Sequence, residues 1–117
     1  MSQEITYDED DRLIRIRVWG QVSIDDMVAS KVECMRLHEN HGANTLIVDA
    51  REQETSAPLF DIFDFGDAWP REIRVAILAG SKTPEDLMFM ETVAMQRGKI
   101  MRIFFSETEA LDWLQDA

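Results

Sequence analysis

The sequence predicts one α/β domain over residues 1–117, in the order β-β-α-β-α-β-α-β-α: a five-stranded, mostly parallel mixed sheet with four helices. Three observations predict it. The short, nearly continuous apolar runs Thr45–Ala50, Val75–Ala79 and Ile103–Phe105 suit strands covered on both faces, as in parallel sheets. Helical patterns with start and stop signals follow each of them. Ahead of them, two strand-like segments flank an acidic turn, which reads as a β-hairpin.

In chain order, Glu4–Tyr7 and Arg12–Trp19 form that hairpin around Asp8-Glu9-Asp10-Asp11. The second strand alternates, with Ile14, Ile16 and Val18 on one face and Arg15, Arg17 and Trp19 on the other, so one face is buried and the other at least partly wet. Gly20 is expected to end it. Ser23 then caps a helix, with Asp26 three residues on as its capping-box partner. Ile24, Met27, Val28, Val32, Met35 and Leu37 give that helix its apolar positions to about Glu39, and Asn40, His41 and Gly42 close it. After the strand at Thr45, Ser56 with Pro58 opens a helix running towards Trp69. Thr83, Pro84 and Asp86 open the next, which Gly98 ends, and Ser106 with Glu109 opens the last, through Leu111 and Leu114. Connections between the parallel strands are expected to be right-handed.

Composition narrows the possible partners. Twelve Lys and Arg against 23 Asp and Glu give a net charge of −11. Nucleic acid needs a basic footprint, so it is not an expected partner. The same repulsion disfavours anionic membrane surfaces and general self-association, so a dimer would need a strong apolar patch. No apolar stretch is long enough to span or insert into a bilayer, and the polar start at Met1–Ile5 carries no leader pattern; a cytoplasmic location is expected. The single cysteine, Cys34, rules out an internal disulfide and a multi-cysteine zinc site.

The ordered set of elements resembles the STAS fold of anti-sigma-factor antagonists, and more closely the SpoIIAA-like family. The stretches that carry the resemblance are Leu13–Gly20 (LIRIRVWG), Leu46–Arg51 (LIVDAR), Ile73–Gly80 (IRVAILAG) and the terminal Glu109-Ala110-Leu111-Asp112-Trp113-Leu114 helix, together spanning nearly the whole chain. The resemblance implies binding, not catalysis, and no cofactor. In the antagonists a serine in an Asp-Ser-Ser-Gly-like motif switches partner binding when phosphorylated. The equivalent stretch here, Arg51–Pro58, lacks that motif, and Ser56 stands nearest the position. Glu52 and Glu54 would oppose a phosphate there by like charge. The fold is also similar to the CRAL-TRIO lipid-carrier domain, which implies a lipid or small apolar ligand as an alternative cargo.

Residue patterns for chemistry are sparse. Cys34 and His38 are four apart and share a helix face, a spacing a metal or a thiolate–imidazolium pair could use, but no third ligand is near in sequence. Cys34 is expected to pack, and His38 to sit at a helix C-terminus where a cation is welcome. Asp8–Asp11 lacks the glycine and distant glutamate of a calcium loop and reads as a solvated turn. Asp61, Asp64 and Asp67 read as a wet helix face. Gly80-Ser81-Lys82-Thr83-Pro84 lies where phosphates bind in α/β proteins, yet it lacks the P-loop pattern and is followed by Glu85 and Asp86. No metal site and no catalytic set is expected.

The apolar surplus is the stronger signal. Leu59, Phe60, Ile62, Phe63, Phe65 and Trp69 occupy more than one face of the helix from Ser56. Leu87-Met88-Phe89-Met90 spans the whole circumference of a turn in the next. A helix on a sheet needs one apolar stripe, so part of this surface is left for a thick core or for a partner. The expected working part is a surface between these two helices, with Phe60, Phe63, Phe65, Met88, Phe89 and Met90 taking an apolar ligand or a protein partner. Self-pairing through it would make an isologous homodimer. The alternative is a regulatory protein switched at Ser56.

Overall fold

The structure, a computed structural model, describes residues 3–55, 70, 72–80 and 85–115. Its elements are β1 (Gln3–Asp8), β2 (Leu13–Val22), α1 (Ile24–His41), β3 (Thr45–Thr55), β4 (Arg74–Leu78), α2 (Glu85–Gln96), β5 (Ile100–Phe104) and α3 (Glu107–Gln115). The sheet order is β1-β2-β3-β4-β5. β1 and β2 pair antiparallel and the other pairs are parallel, as the sequence predicts. Three helices stand among the described residues. The helix expected from Ser56 to Trp69 lies outside them.

The hairpin turn is held by its own acid. Asp8 Oδ1 accepts from the backbone N–H groups of Asp10 and Asp11 at 3.0 and 3.1 Å. These bonds, that from Asp11 foremost, hold the Asp8 carboxyl below its ordinary pKa, because they favour the charged form. Arg12 completes the turn with φ 54, a left-handed conformation that is uncommon without glycine.

Gly20 does not end β2. The strand runs on to Val22, with Gly20 at φ +73 inside it. The reason lies across the ladder: β3 also continues past Ala50 to Thr55, so Gly20, Gln21 and Val22 pair with Gln53, Glu54 and Thr55. The polar stretch from Arg51 reads as loop in sequence, and pairing overrides that local preference. A bulge interrupts the ladder. Arg17 pairs with Asp49 and Trp19 with Glu52, so Ala50 and Arg51 together oppose Val18. Asp49 and Glu52, three apart, therefore face the same side.

On α1 the capping box forms as read. Ser23 Oγ accepts from the Asp26 N–H at 3.2 Å, and Asp26 Oδ2 accepts from the Ser23 N–H at 3.0 Å, an arrangement that stabilises a helix start by about 1 kcal/mol. Gly42, at φ 68, closes the helix by donating its N–H to His38 O. The apolar stripe needs correcting. Met27, Cys34 and Leu37 are buried at spacings of seven and three residues, one helix face, whereas Val28 and Val32 are 48% and 65% exposed. Counting Cys34 as an apolar core position rotates the stripe away from the two valines.

Two apolar clusters sandwich the sheet. One joins β2, β3 and β4 residues such as Ile16, Leu46 and Val75 to Met27, Cys34 and Leu37 of α1 and Ala94 of α2. The other joins Leu13, Ile47, Ala76 and Leu78 to Ala110 and Leu114 of α3. Thus α1 and α2 cover one face, α1 over β1 and β2 and α2 on β5, while α3 covers β3, β4 and β5 on the other. Among the described residues no helix covers β1 and β2 on the α3 side.

The expectation that Ile103–Phe105 is covered on both faces holds in part: Ile103 packs against one apolar cluster and Phe104 against the other, while Phe105, past the end of β5, is 64% exposed. β5 is an edge strand of the sheet. Its outward N–H at Ile103 is accepted by the Glu91 carboxylate of α2, which closes a backbone donor that an edge strand otherwise leaves open.

Candidate functional site

Of the apolar surface expected from sequence, α2 shows one side. Val93 and Ala94 are buried, while Met88 and Met95 are 54% and 61% exposed. Seven residues apart, the two methionines lie on one helix face, two turns from each other. Thr92 stands between them and donates its hydroxyl back to Met88 O at 3.2 Å, which keeps that stripe low in competing polar groups. Phe89 and Met90 belong to α2, but their side chains lie outside the described part. Phe60, Phe63 and Phe65 also lie outside it, as does Ser56, which follows Thr55, the last residue of β3.

The structure adds a charged groove that sequence reading did not single out. It lies on the open α3-side face of β1, β2 and β3, with a volume of about 150 Å³, lined by Glu4, Thr6, Arg15, Arg17, Asp49 and Glu107 among others. A neighbouring depression is lined by Arg17, Asp49, Arg51 and Glu52. Strand alternation places Arg15 and Arg17 here, and the bulge brings Glu52 back beside Asp49.

Each arginine in the groove is answered by acid. Arg15 reaches Asp8 at 3.2 Å, Glu107 at 3.5 Å and Asp11 at 3.7 Å. Arg17 pairs with Glu52 at 3.2 Å and lies over the Trp19 ring at 5.0 Å. Arg51 grips Asp49 with two bonds, Nε to Oδ1 at 2.9 Å and a terminal nitrogen to Oδ2 at 2.7 Å. That grip is the first cause holding the Asp49 carboxyl below its ordinary pKa, and the same contact raises that of Arg51. Gly80 approaches the backbone of Arg51. A Cβ there would sit 2.8 Å from the Arg51 carbonyl oxygen, closer than atoms can approach, so only glycine lets the backbones of residues 51 and 80 meet. The signal available in sequence was an aspartate inside an otherwise apolar strand, two residues before an arginine.

The other chemical candidates resolve structurally. Cys34 is buried, and desolvation, with Glu33 adding to it, pushes its thiol up to about 12, so it is no thiolate nucleophile. The His38 Nδ1 meets the Ala43 carbonyl at 2.7 Å, and His41 stacks on Tyr7 with ring centroids 4.1 Å apart. Both imidazoles thus serve the end of α1. Among the described residues no group of three or more His, Cys, Asp or Glu side chains could hold a metal ion. The segment Ser81–Pro84 lies outside the described part. No described helix is long and apolar enough to cross a membrane.

No protein-family model and no curated protein matches the sequence. Solved structures do. One is a protein of the DUF3478 family with a SpoIIAA-like fold from Shewanella loihica PV-4, at 22% identity over 97% of this chain and 92% of that chain, with a TM-score of 0.58. Another is the anti-sigma factor antagonist SpoIIAA in its unphosphorylated form, at 15% identity over 99% of this chain and 98% of that chain, with a TM-score of 0.67. The resemblance read from the ordered motifs is borne out at the level of fold: this chain has the SpoIIAA-like fold.

Proposed function

We propose that the chain is a non-catalytic binding module of STAS type, engaging a protein partner or an apolar ligand on the outward surface of α2. One observation carries the reading: Met88 and Met95 are exposed on one stripe of that helix. Methionine adapts its shape to irregular partners and is favoured at adaptable binding surfaces. The SpoIIAA-like fold supports a binding role, and the buried, protonated Cys34 removes the one thiol from catalysis.

Native mass spectrometry tests the reading, because it reports subunit count and bound ligand together. The expected result is a homodimer or a retained apolar ligand, lost in the Met88→Asp, Met95→Asp double variant. A monomer without ligand at high concentration, unchanged by those substitutions, overturns it.

The alternative is a phosphorylation switch at Ser56. Its support is positional, since β3 ends at Thr55, and parallel strands present ligands and modifications at their carboxyl ends. Incubation with its cognate kinase, followed by mass spectrometry of the peptide carrying Ser56, tests it. An unmodified Ser56 counts against the switch.

A further inference from the structure

On the α3 side of the sheet, at the amino end of β4 and the middle of β5, two arginines are held by aromatic rings and, among the described residues, by no acid. The Arg74 guanidinium lies 4.3 Å from the Trp113 ring centroid. That of Arg102 lies 5.5 Å from the Phe104 ring. The two rings touch each other, with centroids 5.4 Å apart and planes tilted by 49°. Arg74 pairs with Ile100 and Ala76 with Arg102 across the strands, so the two arginines are diagonal neighbours on one sheet face. Ile100, 42% exposed, shares that face.

Among the described residues neither arginine forms an ion pair. Arg74 Nε is shut off from solvent and has no hydrogen-bond partner, a state that costs free energy in a folded protein. Glu72 and Asp112 stand close in sequence to Arg74 and Trp113, yet neither answers a guanidinium. The local sequence is also unlike the rest. In a chain of net charge −11, residues 92–106 hold three cations and no acid. A guanidinium held against a ring face keeps its full charge, and its terminal N–H groups suit the carboxylate of a partner. Arginine and tryptophan are among the residue types enriched at the anchor positions of protein interfaces. Glu91 already takes the outward N–H of Ile103, so strand addition at this edge would have to displace that bond. The side chains of this face are the surface open to a partner.

We propose that Arg74 and Arg102, set on the Trp113–Phe104 pair, dock an acidic peptide segment of a partner protein, with Ile100 receiving an apolar side chain of that segment. This surface lies on the opposite sheet face from α2 and does not depend on the reading of Met88 and Met95.

The test uses the whole chain, followed by backbone-amide NMR, with an acetylated Glu-Phe-Glu-Glu-Phe peptide as probe. Saturable shifts are expected at Arg74, Ile100 and Arg102 and at the Trp113 indole. Glutamine-for-glutamate and lysine-for-glutamate versions of the peptide are expected to leave those signals in place. Arg102→Gln, at an exposed position where folding is not at stake, is expected to weaken binding about tenfold, the loss of one charge-assisted contact. Arg74→Gln is expected to do the same. Equal binding of the lysine peptide overturns the proposal, and so does binding that Arg102→Gln leaves unchanged. Displacement of the peptide by equimolar inorganic phosphate would also overturn it, by showing a simple anion site.

Discussion

The arginines of β2 and β3 and those of β4 and β5 lie on the same sheet face, yet they are held in opposite ways. Arg15, Arg17 and Arg51 are matched by Asp8, Asp11, Glu107, Glu52 and Asp49. Arg74 and Arg102 are matched by Trp113 and Phe104. A carboxylate neutralises the cation it holds, and acid or salt can break the pair. A ring face orients the cation but leaves its charge in place, and neither acid nor salt removes the ring. Among the described residues, one half of this face is therefore electrostatically closed and the other open, although both expose the same residue type.

The largest expected effect lies in the ring-held half. Trp113→Ala removes the plank between Arg74 and Phe104 and part of the α3 cluster, and should lower stability by about 3 kcal/mol in urea unfolding. A loss under about 1 kcal/mol would show that the ring is surface decoration. Next comes Gly80→Ala in the acid-held half. Its Cβ would press on the Arg51 carbonyl from 2.8 Å, and the backbone shift should cost about 2 kcal/mol. An unchanged urea midpoint would deny that close approach.

Asp49→Asn is expected to cost about 1 kcal/mol at neutral pH, allowing for its solvent access. The pH dependence sharpens the contrast. The folded-state pKa of Asp49 lies below its ordinary value of 3.8. Its contribution is thus present above that ordinary value and is lost as pH falls through the depressed one. The stability gap between wild type and Asp49→Asn should close on acidification, whereas the gap for Arg74→Gln should not. Parallel urea curves at neutral and acid pH check both, and a gap for Asp49→Asn that persists in acid would break the comparison. The smallest effect belongs to Arg17→Ala, about 0.5 kcal/mol, because Arg17 and Glu52 are both largely exposed. High salt should erase most of it by screening, and a salt-independent loss would point to the Trp19 contact instead.

Much of the fold was legible in the sequence because its signals are local. The period-two alternation of Ile14, Ile16 and Val18, the Ser23–Asp26 box and the apolar run at Leu46 each state their element within a few residues. Failures came where the cause is distant. The extensions of β2 through Gly20 and of β3 through Arg51–Thr55 exist because each supplies the other's partner. Val28 and Val32 are apolar but outward, because Cys34 takes the core position between turns. Ile103 and Phe104 are covered on opposite faces as the run suggests, but the strand ends before Phe105, and only the strand order reveals that β5 is at the edge. For the site, the sequence pointed to Met88, which is exposed. It did not point to the arginines, because pairing with acid or with a ring depends on which strands are neighbours.

The bulge opposite Val18 has a consequence for length. β3 carries one residue more than its partner strand across that stretch. A chain lacking Arg51 would keep Arg17 against Asp49 and Trp19 against Glu52, with Val18 facing Ala50 alone. A chain lacking Val18 would instead have two unmatched residues to fit. The sheet can thus lose a residue on one side of this ladder without being re-threaded, but not on the other. Insertions and deletions among relatives sharing this hairpin should accordingly collect in β3, at Ala50–Arg51, and avoid β2.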